Sequence, residues 1–326
     1  MRMQRVGAGL IAMAVMGGVF GAQAAVIAGQ GDAKAAEVIT ATRKAIGGKK
    51  PEALKSLSVQ AAMQRNVGTF QMTSDIALLV EMPDKYLRSE TPTGGMSGMT
   101  GGFSTGFNGD RPLRSGGSPI AGPGGSMVIR MGGGPGGTPS GGGEKPTPEQ
   151  QAEFDRTMLR GARADLSRMM LGWFGSAHPS IDAIYTYAGE AESPDGKAYV
   201  IDAKNADGFA ARIFIDQASN LPLMVTYQGA QPRMMTMGGP RVTTSSAPAG
   251  QAAHESRPVT PDERKKVLEG AMVEHTLFFD EWRDVDGVKF PHRMRRAVAG
   301  ATTEEWTFSK VNVNPKIDPK KFQIES

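Results

Sequence analysis

The chain has 326 residues, with 43 glycines, 20 methionines, no cysteine and a formal net charge of +4. This length allows one large domain whose core needs no covalent cross-links. The absence of cysteine excludes disulfides, thiolate metal sites, cysteine nucleophiles and a lipidated N-terminal cysteine. The small net charge argues against a nucleic-acid partner, because such proteins carry a strongly basic surface.

The N-terminus has the pattern of a secretory signal peptide. Arg2 and Arg5 precede an apolar run over residues 6–20, and Ala22-Gln23-Ala24 has the small-x-small pattern that signal peptidases cleave. The apolar run is shorter than the roughly 20 residues of a spanning helix, which argues against the alternative of an uncleaved membrane anchor. We therefore predict cleavage near Ala24 and a periplasmic or secreted mature protein with a net charge of +2.

A helix and three strands are predicted to follow. Asp32 is a suitable helix cap, and apolar residues recur at helical spacing over residues 33–46 until Gly47-Gly48 ends the run. The segments 54–64, 68–80 and 82–92 are typical of strands.

The composition changes abruptly over residues 93–143, which hold 20 of the 43 glycines. A segment of this kind buries too little apolar surface to offset the entropy of ordering, so we predict a mainly mobile insertion. Two ordered parts are expected within it, a hairpin tip at 107–111 and a brief strand at 127–130. A second loose insertion is predicted at 229–259, followed by a short helix at 260–268.

A long helix is predicted between the two insertions, from Thr147 to about residue 171. Thr147 is the cap, Pro148 occupies the first helical position, and Gln150 is placed for a capping box. An apolar stripe with spacings of three or four predicts packing against the open side of a sheet. It consists of Phe154, Met158, Ala162, Leu166, Met169 and Trp173.

The stretch 197–228 predicts a three-stranded meander with turns at 205–208 and 216–220. Its alternation places one apolar set on a single face. This set is Tyr199, Ile201, Ile213, Ile215, Leu223, Val225 and Tyr227. Two further strands joined at 284–287, the first carrying Leu277 and Phe279, and a last strand over 304–314 complete the predicted sheet.

The order of these motifs resembles the LolA/LolB-like superfamily of outer-membrane lipoprotein-sorting proteins. The matching strings are PDKYLRSE, GKAYVIDA, FIDQASNLPL, DEWRDVDGVKFPHRM and VNVNPKIDPKKF, and the resemblance spans about residues 34–322. It implies an α+β fold in which an open, strongly curved antiparallel sheet, a half-barrel, is covered by helices. It also implies a single domain over residues 25–326, interrupted by the insertions at about 93–143 and 229–259.

The same resemblance implies non-enzymatic binding or transport of lipid or acyl groups in the cell envelope. The partner would be a lipid or an acylated protein, and peripheral contact with envelope membranes is expected, without nucleic acid. Whether the helices and the sheet leave a cavity or meet in a filled core stays open at this point. The predicted ligand wall consists of Tyr199, Ile201, Ile213, Ile215, Leu223, Val225, Tyr227, Leu277, Phe279, Phe154, Met158 and Trp173.

Motifs for catalysis or cofactors give no candidate site. The G-x-S-x-G string at 102–106 and the G-x-G-x-x-G string at 132–137 lie in glycine tracts without the strands and helices that these motifs require. The four histidines are too widely spaced for a ligand pair, so no catalytic residue, cofactor or metal site is predicted.

Two alternatives to a lipid carrier remain. One is a structural or interaction protein of the envelope without a small ligand. The other is Cu(I) binding through Met96, Met99 and the methionines of 234–237, since thioethers are soft ligands. Compositional drift, or loops that fold over an apolar cavity with methionine as adaptable filler, explains the same methionines.

Overall fold

The computed structural model describes residues 28–67, 70–94, 102–116, 120–121, 127–128, 147–194, 196–231 and 271–324. The predicted signal peptide at 1–24, the short helix at 260–268 and the methionine clusters lie outside these ranges.

Fourteen strands occur in the described part of the chain. They are β1 (Ser56–Val67), β2 (Phe70–Glu81), β3 (Lys85–Gly94), β4 (Phe103–Asn108), β5 (Arg111–Ser115), β6 (Ile120–Ala121), β7 (Met127–Val128), β8 (Ile184–Ser193), β9 (Gly196–Lys204), β10 (Ala210–Asp216), β11 (Pro222–Ala230), β12 (Met272–Val285), β13 (Val288–Val298) and β14 (Ala301–Val313).

Twelve of these strands form one antiparallel sheet in the order β5-β4-β3-β2-β1-β14-β13-β12-β11-β10-β9-β8, and β6 pairs with β7. Each arm of the sheet is a meander, and the pairing of β1 with β14 joins the arms. The order ends at β5 and β8, so the sheet is open. Buried side chains from both arms share one core with the two long helices. This arrangement is the α+β half-barrel that the sequence predicts.

Three α-helices and one 3-10 helix accompany these strands: α1 (Ala28–Ile46), α2 (Lys49–Glu52), α3 (Pro148–Phe174) and the 3-10 helix Pro319–Phe322. The capping box at the start of α3 is confirmed, since Thr147 Oγ1 accepts a hydrogen bond from Gln150 N at 3.3 Å and Gln150 Oε1 accepts one from Thr147 N at 2.9 Å. The helix ends at Gly175, which has a φ of 66° and donates from its N–H to Leu171 O. Glycine suits this left-handed position because it has no Cβ.

The core lies between the sheet, α1 and the C-terminal half of α3. Trp173 is fully buried, with its ring centroid 5.1 Å from that of Phe290 and 6.0 Å from that of Phe308. The backbone of α3 approaches β12 closely, because a Cβ added to Gly172 would lie 1.9 Å from Phe279 Cζ. The absence of a side chain at Gly172 therefore allows the helix to pack directly on an aromatic ring.

The first insertion contains more sheet than the sequence predicts. The expected hairpin tip at 107–111 extends into the strands β4 and β5, which continue the main sheet. Phe107 anchors this hairpin: it is fully buried, and its ring lies 5.8 Å from both Tyr86 and His178. One buried aromatic residue thus orders a segment that its glycine content marks as loop. Of the brief strand expected at 127–130, residues 127–128 form β7, and residues 129–130 lie outside the described ranges.

Candidate functional site

Most of the predicted ligand wall lies in a filled core. Ile213 pairs in register with Ile201 on β9 and Val225 on β11, and Val225 pairs with Leu277 on β12. These four side chains are 0% exposed. The buried or partly buried members of the wall that pack in this one core are Tyr199, Ile201, Ile213, Ile215, Val225, Tyr227, Leu277, Phe279 and Trp173.

Leu223 does not share the inward face, which corrects the prediction from alternation. Its side chain is 43% exposed. The cause is a bulge between β10 and β11, where Phe214 pairs with Met224 but Ile215 pairs with Pro222. A bulge adds one residue to a strand and shifts the alternation beyond it, so Leu223 points away from the core.

An open cleft of about 680 Å³ lies between the N-terminal half of α3 and the β4–β5 hairpin. Phe154 and Met158, two members of the predicted ligand wall, line this cleft rather than the core. They continue the apolar stripe of α3 with Ala162, and the Arg114 guanidinium lies 5.9 Å from the centre of the Phe154 ring. The other lining residues are Thr105, Gly106, Arg111, Pro112, Leu113, Ser115, Gly116, Gln151 and Asp155.

Buried and partly buried charged side chains on the inward face form a feature that the sequence did not reveal. We call this set the interior charge cluster; its members are Arg65, Arg88, Glu90, Asp165, Arg296 and Glu304. Glu90 accepts from Arg65 Nη1 at 2.9 Å and from Arg88 Nη2 at 3.1 Å. Arg65 Nε also donates to Glu304 at 2.9 Å. Charged side chains almost never lie this deep without such partners.

Arg296 connects the cluster to α3 and to the meander. Its Nη2 donates to Asp165 Oδ1 at 3.2 Å, its Nη1 donates to the Tyr227 hydroxyl at 3.2 Å, and its Nε lies 3.7 Å from Glu304 Oε2. Burial acts to raise the pKa of Glu304, but the guanidinium groups of Arg65 and Arg296 outweigh it and hold that pKa well below its usual range. Glu304 is therefore ionised in the folded protein at neutral pH.

Ser104 of the G-x-S-x-G string lies inside β4, 2.8 Å from Ser89 Oγ, and not at a turn from strand to helix. No group of three histidine, aspartate or glutamate side chains in the described ranges is placed to hold a metal ion. None of the helices described is long and apolar enough to cross a membrane.

No family model and no curated protein matches the chain. In structure the chain is similar to a LolA superfamily protein from Nitrosomonas europaea, with 11% identity, a TM-score of 0.45 and coverage of 88% of this chain and 96% of that one. It is similar to a putative outer membrane lipoprotein-sorting protein domain from Vibrio parahaemolyticus, with 10% identity, a TM-score of 0.43 and coverage of 89% and 97%.

A third similar structure is a DUF1329 family protein from Desulfovibrio piger, with 11% identity, a TM-score of 0.43 and coverage of 88% of this chain and 96% of that one.

Proposed function

We propose that the protein binds an acyl group in the cleft between α3 and the β4–β5 hairpin, as a non-enzymatic lipid binder or carrier of the cell envelope. The observation that carries the proposal is the cleft itself, with Phe154 and Met158 on its helical wall. Its volume of about 680 Å³ falls within the range of roughly 300–1,000 Å³ that is typical of small-molecule sites.

The two walls of the cleft suit an amphiphile. Phe154, Met158 and Ala162 present apolar surface to the cleft at successive turns of α3, opposite the β4–β5 hairpin. Methionine adapts its shape to flexible apolar ligands. Arg111 and Arg114 line the same cleft and supply cations for a carboxylate or phosphate headgroup.

The filled core determines which part of the predicted ligand wall we retain. Ile201, Ile213 and Val225 are fully enclosed by protein atoms and serve the stability of the sheet in this proposal. Phe154 and Met158 keep their predicted role as ligand contacts. The charged start, apolar run and Ala22-Gln23-Ala24 motif of the N-terminus support an envelope location for the binder.

A titration with a fluorescent fatty acid tests the proposal. Met158→Gln replaces the thioether by a polar amide of similar length, and we expect about tenfold weaker binding, which corresponds to roughly 1.4 kcal/mol. Met272→Gln is the matched control, since Met272 is 61% exposed at the start of β12. Binding that is absent from the wild type, or equal in the wild type and Met158→Gln, would contradict the proposal.

The two alternatives give different results. Mass spectrometry of an organic extract of the purified protein would detect lipid for a carrier and none for a structural or interaction protein. A competition titration with Cu(I) tests the alternative of metal binding. It compares the wild type with a variant in which Met96, Met99 and the methionines of 234–237 are replaced by leucine, which removes the sulfur ligands at nearly constant size.

A further inference from the structure

One arginine on the inward side of α3, Arg168, has no anionic partner among the residues that the structure describes. Arg168 makes no hydrogen bond or ion pair with any described residue, and its Nε is buried without a partner. Its guanidinium carbon lies 3.8 Å from the centre of the Tyr227 ring and 5.7 Å from that of Phe209. The side chain is half-buried, so solvent still reaches part of it.

The carboxylates nearby are already engaged. Glu90 binds Arg65 and Arg88, while Glu304 binds Arg65 and Arg296. Asp165, one turn before Arg168 on α3, pairs with Arg296, and no ion pair joins it to Arg168. The interior charge cluster has three guanidinium groups and three carboxylates, so Arg168 beside it is a cation in excess among the described residues.

The aromatic contacts only partly compensate for this burial. A cation over a tyrosine ring gains less free energy than the removal of its charge from water costs. Burial is accordingly the main cause that lowers the pKa of Arg168. The Tyr227 hydroxyl accepts from Arg296, which leaves its own proton free to be donated. Burial also raises the pKa of Tyr227, so the phenol keeps this proton at neutral pH.

We propose that Arg168 and Tyr227 form an oxyanion-binding site that takes a carboxylate or phosphate group, with the planar guanidinium fork as its anchor. A bidentate pair of this kind supplies the negative charge that Arg168 lacks. The site is distinct from the acyl cleft. Arg168 lies ten residues beyond Met158, about 15 Å along the helix axis, and it contacts residues of the meander rather than the β4–β5 hairpin.

The test measures thermal stability and titration heat with inorganic phosphate and with acetate, each compared with chloride at the same ionic strength. The variant is Arg168→Gln. The matched control is Arg160→Gln, which removes the same charge from an exposed position on the same helix. At a phosphate or acetate concentration tenfold above Kd, the wild type and Arg160→Gln should gain about 3–6 °C in Tm.

Arg168→Gln should lose this gain, and its affinity should fall at least tenfold. Arg168→Lys keeps the charge but not the fork and should lose part of the affinity, which preserves the test if Arg168→Gln does not fold. Equal affinity in the wild type and these variants would overturn the proposal. So would the absence of any gain over chloride with both anions.

A second titration separates the two sources of the anion, using n-dodecyl phosphate below its micelle concentration. Tighter binding of n-dodecyl phosphate than of inorganic phosphate, lost in Arg168→Gln, identifies a lipid headgroup. Equal binding of the two, also lost in Arg168→Gln, identifies a free ion. The failure of Met158→Gln to affect fatty-acid binding would remove the acyl cleft and leave this site standing, because inorganic phosphate carries no chain.

Discussion

The two halves of α3 lie over the same sheet but in different surroundings. From Leu166 to Phe174 every residue except Arg168 is buried, whereas no residue from Pro148 to Asp165 is. The C-terminal half is apolar on nearly all sides and is buried, while the N-terminal half has one narrow apolar stripe among charged residues. The width of the apolar surface thus separates core from cleft, although one stripe runs through both.

The boundary between the halves carries charge. Asp165 precedes the buried segment and pairs with Arg296 of the interior charge cluster at 3.2 Å. This ion pair joins the helix to β13 where the apolar contacts of the core begin. Four substitutions, from the largest expected effect on stability to the smallest, test how sharply core and cleft differ.

The largest loss is expected for Ile213→Glu. Ile213 is fully buried, and an unpaired carboxylate at this position should cost more than about 4 kcal/mol or abolish cooperative unfolding. Leu223→Glu is the matched control on the neighbouring strand, where the exposed bulge position should tolerate the charge. Denaturant unfolding measures both. A folded, stable Ile213→Glu protein would show that the core opens as a cavity.

Glu304→Gln should cost about 3–5 kcal/mol at pH 7, because Arg65 and Arg296 are buried and each loses one of its two carboxylate partners. The pKa of Glu304 is lowered from 4.5 in the folded state, so its contribution is fully present above pH 4.5 and is lost as the pH falls through the folded value. The difference in unfolding free energy between wild type and variant should therefore shrink between pH 5 and pH 3.

The neighbouring residue provides the control for this experiment. Glu305 points to the opposite face, where it pairs with Arg293 at 3.1 Å in a half-exposed position. Exposed pairs contribute about 0–1 kcal/mol, so Glu305→Gln should have little effect at either pH. Equal losses for the two variants would argue against the interior charge cluster as a stabilising contact.

Gly172→Ala should cost about 1–3 kcal/mol, although alanine is the better helix former by about 1 kcal/mol. The added methyl group meets the Phe279 ring, which is only 1% exposed and has little room to move. Thermal unfolding measures the loss. Phe279→Leu in the same chain should restore part of it, and strict additivity of the two changes would show that the helix does not approach the ring.

Local sequence chemistry predicted the elements of the fold better than their partners. The start of α3 follows from Thr147, Pro148 and Gln150, whose interactions span four residues. The alternation of apolar residues located the meander, but it placed Leu223 on the wrong face. The bulge that turns Leu223 outward depends on the pairing of two strands, which the alternation of one strand does not show. The resemblance to a known superfamily supplied the half-barrel, which alternation alone does not specify.

The interior charge cluster was not predicted from the sequence, for a related reason. Arg65 and Glu304 are register partners on β1 and β14, which are far apart in the chain, and no local pattern brings them together. A signal did exist. Arg65, Glu90 and Glu304 continue the inward alternation of Met63, Arg88 and Trp306, so a strict reading of alternation would have placed charges inside the sheet.

The smallest change in stability, and the sharpest test of the comparison, is expected for Phe154→Ala. Phe154 is 36% exposed, so its removal should change the free energy of unfolding by no more than about 0.5 kcal/mol. Met169→Ala truncates the same stripe in the buried half and should cost about 2–5 kcal/mol, because it leaves a cavity.

Fatty-acid affinity should respond in the opposite order. It should fall about tenfold for Phe154→Ala and stay unchanged for the folded fraction of Met169→Ala. Denaturant unfolding and fluorescence titration of the two variants together check this reversal. Equal stability losses would mean that the whole stripe is core and that the cleft is a surface depression without a ligand.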